Sequence, residues 1–164
     1  MPTATAQLYE QDFVRWAKSQ AEALRDASRS GTNLPLDWDN LIEEVESLGR
    51  SERRELESRL ATVLEHLLRL EYSSATNPRA GWRNAIRRER RQIKRVLAAS
   101  LSLKAKVSDI IAEELRSTAG DVADTLKDHG ETDQAVLTKL AGARYDADQV
   151  LGDWFPESST PDDS

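Results

Sequence analysis

The sequence predicts an all-α fold, an irregular helical bundle of four to five main helices with a short helical C-terminal extension. Apolar residues recur with the period of a helix along most of the 164 residues. No segment alternates apolar and polar residues over the length of a strand. Residues that favour helix starts and ends separate the periodic segments. The length suits one domain, which we expect over residues 1–157, followed by a flexible tail over 158–164.

The composition excludes several classes of protein. Apolar residues make up 38% of the chain and charged residues 32%, which is typical of a globular domain. The absence of cysteine excludes disulfide scaffolds, thiol nucleophiles, iron–sulfur clusters and cysteine-ligated zinc, and fits a reducing compartment. No apolar run approaches the roughly 20 residues that cross a bilayer, and the first residues lack a secretory pattern. We therefore expect a cytoplasmic protein with no membrane segment.

Two helices are predicted in the first half of the chain. The segment LYEQDFVRWAKSQAEALRDASRSG reads as one helix that ends at Gly31. Asp37 is suited to cap a second helix, which starts near Trp38 and carries an apolar stripe as far as Leu70. Gly49 interrupts this stripe, and a single glycine either kinks one long helix or separates two. The sequence leaves these two alternatives open.

Shorter elements are predicted in the second half. A loop over 72–78 precedes a helix over 81–99, and a further helix opens at Ser100 or Ser102 and ends near His129, with Gly120 as a candidate interruption. A short helix is expected around 135–140. Asp146 and Gln149 have the spacing of a capping box that opens a last helical turn. We expect Trp154, Phe155 and Pro156 to hold the end of the chain against the body.

Positive charge is concentrated in one helix of an acidic protein. The formal net charge is −6, yet residues 79–95 contain eight Lys or Arg and a single acid, so the rest of the chain carries −13. Such a basic segment contacts either the acidic surface of its own chain, in the same subunit or another, or an external anion. Charge alone does not distinguish these alternatives.

Four segments carry a resemblance to a known family. They are LYEQDFVRWAKSQAEALR, LDWDNLIEEVESLGRSERRELESRLATVLEHLLRLEY, WRNAIRRERRQIKRVLAASLSLK and, more weakly, YDADQVLGDWFPE. In their order and spacing the chain resembles the bacterial family called domain of unknown function 29, and it departs from the family pattern over residues 115–144. The resemblance implies an all-α fold. It implies no reaction and no catalytic residues.

Glu89 is the one residue that openly conflicts with its helical position. It falls near the middle of the apolar arc of the helix over 81–99. A carboxylate there must be paired, protonated or open to a cavity, because a lone buried charge costs several kcal/mol. We expect it to bond Arg59 or Trp38. The alternative is a functional carboxylate in a cleft.

Few residues of the sequence are suited to metal binding or catalysis. His66 lies at the edge of an apolar stripe, and a helical carboxylate-bridged metal site would need an acid at position 63, which is Val63. We expect a boundary histidine satisfied by a nearby side chain, and no metal or cofactor. A catalytic site would have to assemble from different helices, and the candidate functional cluster is Glu89, His66, Arg90 and Asp12.

The basic helix offers the best lead to a partner, with Arg83, Arg87, Arg91 and Lys94 as candidate anion-binding residues. No aromatic residues interleave with these cations, and the isoelectric point of about 5.1 opposes nucleic acid. The sequence therefore favours a non-enzymatic protein interaction or regulatory module that binds a protein partner or forms a homo-oligomer. The alternatives are a nucleic-acid or phosphate binder that uses this helix, and a small enzyme with a carboxylate and histidine site.

Overall fold

A computed structural model describes residues 1–157, and over that range it contains seven α-helices and one 3-10 helix. The α-helices are α1 (Ala4–Gln11), α2 (Phe13–Arg29), α3 (Trp38–Tyr72), α4 (Arg79–Ala99), α5 (Val107–Asp128), α6 (Gln134–Ala141) and α7 (Ala147–Leu151), and the 3-10 helix spans Leu101–Lys106 between α4 and α5. The prediction of an all-α fold is confirmed. The tail predicted over 158–164 lies outside the described residues.

The chain divides into two compact units, and α3 and α4 each contribute to both. The first unit contains residues 1–56 and 95–106, and the second contains residues 57–94 and 107–164, of which the structure describes those up to 157. The single domain expected from the chain length stays a prediction.

In the first unit, Asp12 breaks the helix that the sequence predicts as one. Asp12 has φ −153° and ψ 86°, and its side chain caps α2 by accepting a hydrogen bond from the Arg15 amide at 3.1 Å. It also accepts hydrogen bonds from the amide and the hydroxyl of Ser102, each at 2.9 Å. The carboxylate thus satisfies donors at the start of α2 and in the 3-10 helix, and it ends α1. The predicted continuous helix was wrong at this residue.

Small residues bring α2 and α3 together in the first unit. Ala17 and Ala21 are completely buried, and a Cβ added at Gly49 would lie 3.6 Å from the Cβ of Ala17. The helix α3 continues through Gly49, and an added methyl group there would meet Ala17 at an ordinary van der Waals distance, so the glycine does not end the helix and is not required for this packing. The predicted boundary at Gly31 is confirmed, because its φ of +77° terminates α2. The helix predicted from Ser100 begins instead as the 3-10 turn.

In the second unit, α3 and α4 form an antiparallel hairpin around the loop over 73–78. Arg79 Nη2 donates to the Leu70 carbonyl at 2.5 Å, and Arg59 Nη1 donates to Glu89 at 2.9 Å. These contacts join residues that are nearly symmetric about the loop, as an antiparallel pair requires. The apolar residues of both helices fill the core together with residues from α5, α6 and α7, and the completely or almost completely buried ones are Leu60, Val63, Leu64, Leu67, Leu68, Leu70, Ile86, Ile93, Ile110, Val122, Leu140 and Val150.

Two predicted features of the second unit differ in detail. The helix α5 runs through Gly120 without interruption and ends before Gly130, whose φ is +65°. Trp82 is half-buried, whereas Ile86 and Ile93 on the same stripe are completely buried. The stripe of α4 therefore faces the core as predicted, but the indole at its start lies at the edge of that core.

Candidate functional site

The end of the chain folds back onto α4 within the second unit. Asp146 caps α7 through the amide of Gln149, and the Gln149 side chain accepts from the Asp146 amide, which confirms the predicted capping box. At Gly152 a Cβ would lie 2.6 Å from the Asp148 carbonyl oxygen, so only glycine allows this tight exit from the helix. The chain then runs past Trp154 and Phe155.

Arg90 anchors this segment. Only 5% of the residue is exposed, and its guanidinium donates three hydrogen bonds to backbone carbonyls. Nε donates to Val150 at 2.9 Å, and Nη2 donates to Gln149 at 2.8 Å and to Trp154 at 2.7 Å. We predicted that Trp154, Phe155 and Pro156 hold the chain end against the body. Pro156 is buried and Phe155 is half-buried, as this prediction requires, but Trp154 is 37% exposed and its backbone carbonyl, bound by Arg90, makes the attachment.

A basic cleft of about 380 Å³ opens beside this anchor. We call it the arginine cleft, and its lining residues are Arg87, Arg90, Arg91, Lys94, Leu151, Asp153 and Phe155. The guanidinium carbons of Arg87 and Arg90 lie 5.2 and 5.0 Å from the centroid of the Phe155 ring. Two cations thus lie over one aromatic ring, and the attraction between a cation and the ring electrons favours this arrangement.

The charges of the arginine cleft are unbalanced. Four cationic side chains face a single carboxylate, that of Asp153. Burial lowers the pKa of Arg90 and Arg87 acts in the same direction, while Asp153 opposes the shift. Three of the four predicted anion-binding residues line the cleft, namely Arg87, Arg91 and Lys94. Arg83 is not among its lining residues.

Glu89 is a structural partner rather than a free carboxylate. Its Oε2 lies 2.9 Å from Arg59 Nη1, and its Oε1 lies 3.4 Å from Arg88 Nε. Its side chain is 12% exposed and that of Arg59 is 27% exposed. The expected bond with Arg59 is confirmed, and it explains why an acid is tolerated in the apolar arc of α4.

His66 behaves differently from the expectation. The residue is half-buried on α3, as a boundary position requires, but its Nδ1 is buried and has no hydrogen-bond partner among residues 1–157. The expectation of a satisfied histidine was therefore wrong at this nitrogen, although Glu65 and Arg69 on the same helix lie close enough to influence the charge of the ring. Burial is the main cause that lowers its pKa, which favours the neutral imidazole.

The candidate cluster of Glu89, His66, Arg90 and Asp12 separates into different roles. Glu89 pairs with Arg59, and Arg90 bonds the C-terminal segment. Asp12 belongs to the first unit, where its carboxylate is occupied by the donors of Arg15 and Ser102. Between residues 1 and 157, no three His, Asp or Glu side chains are grouped so that they could hold a metal ion.

Other cavities are less suited to a polar ligand. A groove of about 600 Å³ beside α5 and α6 is lined mainly by alanine and leucine, with Arg116 and Arg144 as its charged groups. A groove of about 660 Å³ in the first unit also contains several cations, but its Arg50 is already paired with Glu43 and Glu46. We call it the first-unit groove.

Sequence reasoning missed a buried tyrosine contact in the second unit. The Tyr145 hydroxyl donates a hydrogen bond to Glu71, and burial together with this carboxylate raises the pKa of Tyr145 far above its usual value. The same two causes raise the pKa of Tyr72 to about 12. Both phenols therefore stay protonated at neutral pH. Glu71 lies 74 positions from Tyr145 in the chain, and no local motif predicts this pairing.

Comparison with known proteins decides the family. The model of the family described as "Domain of unknown function DUF29" matches residues 8–155. The chain belongs to this family. The match covers the arginine cleft, so in this DUF29 protein the cleft is part of the family domain. The resemblance inferred from the four sequence segments is confirmed.

A solved structure supports the same fold. The DUF29 chain is similar to an alpha-helical protein of unknown function from Rhodospirillum rubrum, with a TM-score of 0.73 and 27% sequence identity over 87% of this chain and 88% of that one. No curated protein matches the sequence significantly. Among the described residues, no helix is long and apolar enough to span a membrane.

Proposed function

We propose that this DUF29 protein is a non-enzymatic interaction module that acts in the cytoplasm and self-associates through one apolar surface. The observation that supports this is a group of four leucines that remain in contact with water: Leu34, Leu36, Leu41 and Leu48 are 59%, 45%, 38% and 44% exposed. We call this group the leucine surface. Apolar patches on soluble proteins often mark interaction sites.

The leucine surface is built around the first turns of α3. Leu41, Val45 and Leu48 are spaced i, i+4 and i+7, so they share one face of the helix. Val45 is half-buried between the two exposed leucines. Leu34 and Leu36 belong to the segment that leads directly into the helix. An apolar helix face that the chain itself leaves open requires a partner to be covered.

A second copy of the chain is the partner that we propose. The four leucines expose on the order of 300 Å² of apolar surface, and a two-fold contact would bury that area on both copies. Stable interfaces bury about 1,200 to 2,000 Å² in total, of which somewhat more than half is apolar. The leucine surface would therefore supply much of the apolar centre of a small interface. We expect a weak dimer, with a Kd on the order of micromolar.

Salt distinguishes this apolar contact from a contact driven by charge. Glu44 and Glu52 lie on the same side of α3 as the leucines, so a two-fold contact places like charges near each other. Added salt screens this repulsion and should strengthen the dimer. If the basic helix of one copy instead bound the acidic surface of another, added salt would weaken the association.

Sedimentation equilibrium tests the proposal. The parent protein is compared with the double variant Leu41→Gln, Leu48→Gln and with the control Leu101→Gln, which changes a leucine that is 48% exposed outside the leucine surface. We expect the double variant to dimerise at least about tenfold more weakly and the control to match the parent. A parent that stays monomeric at about 200 μM would refute self-association and point to a different protein as the partner.

A further inference from the structure

The strongest unexplained feature outside the leucine surface is the buried cation of the arginine cleft. Arg90 is 5% exposed, and its three acceptors are neutral backbone carbonyls. No carboxylate within the described residues forms an ion pair with it. Burial of a guanidinium is unfavourable unless a counter-charge accompanies it, and a guanidinium does not lose its proton at neutral pH. The fold therefore holds a buried positive charge that no ion pair within the described residues neutralises, and the nearby Asp153 carboxylate offsets it in part.

The neighbouring cations increase this excess. Arg87 shares the Phe155 ring with Arg90, and Arg91 and Lys94 extend the lining along α4. Arg91 and Lys94 are exposed and form no hydrogen bond or ion pair with residues 1–157. With Asp153 as the one acid in the lining, the cleft carries a formal charge of +3, which is the difference between four cations and one carboxylate.

We propose that the arginine cleft binds a small molecule that carries two or more phosphate charges. Arginine side chains match phosphate oxygens with paired donors, and Arg87 and Arg91 supply such donors where Lys94 adds a point charge. The three carbonyl bonds use Nε and Nη2 of Arg90 and leave Nη1 without a hydrogen-bond partner among residues 1–157, so this nitrogen can also donate to the ligand. A volume of about 380 Å³ is within the range of small-molecule sites.

Several features favour a small anion over a nucleic acid. The Phe155 ring already has the guanidinium groups of Arg87 and Arg90 over it, and these cations would compete with a base for stacking. The parts of the chain outside residues 79–95 carry −13, which would repel a long phosphate backbone. The Asp153 carboxylate at the cleft accepts hydrogen bonds from hydroxyl groups, which suits the organic part of a phosphorylated metabolite.

Isothermal titration calorimetry with pyrophosphate as the probe tests this site. The parent is compared with Arg91→Gln, Lys94→Gln, which changes the cleft, and with Lys18→Gln, Lys106→Gln, which removes the same charge from the first-unit groove. All titrations are done at one fixed salt concentration. We expect one pyrophosphate per chain, at least tenfold weaker binding in the cleft variant, and binding by the groove variant within about twofold of the parent.

Three results would overturn the proposal. The first is the absence of saturable pyrophosphate binding by the parent. The second is an equal loss in both variants, which would reflect net charge alone. The third is tighter binding of citrate, or of a single-stranded RNA of about twelve nucleotides, than of pyrophosphate, which would assign the basic residues to a carboxylate or a nucleic acid. Neither substituted cleft residue forms a hydrogen bond or ion pair within residues 1–157, so thermal melts should show that the cleft variant folds like the parent.

Discussion

Replacing Arg90 by methionine tests how the C-terminal segment is held. The substitution keeps much of the side-chain volume but removes three hydrogen bonds to the carbonyls of Gln149, Val150 and Trp154. Hydrogen bonds to a charged group contribute about 1.5 to 3 kcal/mol each. The variant also removes the unfavourable burial of the charge, which offsets part of this loss. We expect a net destabilisation of about 2 to 4 kcal/mol.

The measurement is a thermal melt supported by urea denaturation. For a chain of this size, about 1 kcal/mol shifts Tm by about 2 to 4 °C, so Arg90→Met should melt roughly 4 to 16 °C below the parent. Arg91→Met is the matched control, because Arg91 is the adjacent residue and is exposed. The control should stay within about 0.5 kcal/mol of the parent. An Arg90→Met protein that melts like the control would refute the anchoring role.

Three further variants test individual residues of the second unit. Glu89→Gln should cost about 1 to 2 kcal/mol in urea denaturation at pH 7, less than for a fully buried pair because Arg59 is partly exposed; an increase in stability would mean that burying the Glu89 charge costs more than its pairing with Arg59 contributes. Trp82→Ala should cost about 2 kcal/mol, because the indole is half-buried, and an unchanged melt would contradict its contact with the core. The parent should lose stability as pH falls below about 6.5, the usual pKa of histidine, because the unfolded chain then binds a proton at His66 that the folded protein does not bind. The His66→Gln variant should lack this loss of stability. Melts from pH 7.5 to 5 measure this slope, and His129→Gln, at an exposed position, should retain it.

Local sequence patterns were sufficient for most of the helices. The capping box of Asp146 and Gln149 and the helix end at Gly31 depend on neighbouring residues, and these features are present as predicted. Asp12 shows the limit of such patterns. Its carboxylate accepts a hydrogen bond from Ser102, ninety positions away in the chain, and the helix ends at Asp12 although the apolar period continues on both sides of it. Periodicity carries no information about such a distant donor.

The candidate site could be predicted only in part. The cations of α4 and the attachment of Trp154 and Phe155 were each visible in the sequence. Their convergence was not, because the pairing of Arg90 with carbonyls of the chain end depends on how the second unit folds. A buried arginine that binds backbone carbonyls has no sequence signature, unlike an arginine that is spaced to meet an acid on its own helix.

The location of the dimer contact tests the central claim most directly. Hydrogen–deuterium exchange of the parent is measured below and above the Kd for self-association, and the amides of residues 32–37 other than Pro35 provide the readout because they precede α3 and lie outside any helix. Contact through the leucine surface predicts slower exchange of these amides at high protein concentration, with no change in α6. Slower exchange in α4 instead, or a dimer that leaves residues 32–37 unaffected, would contradict the account.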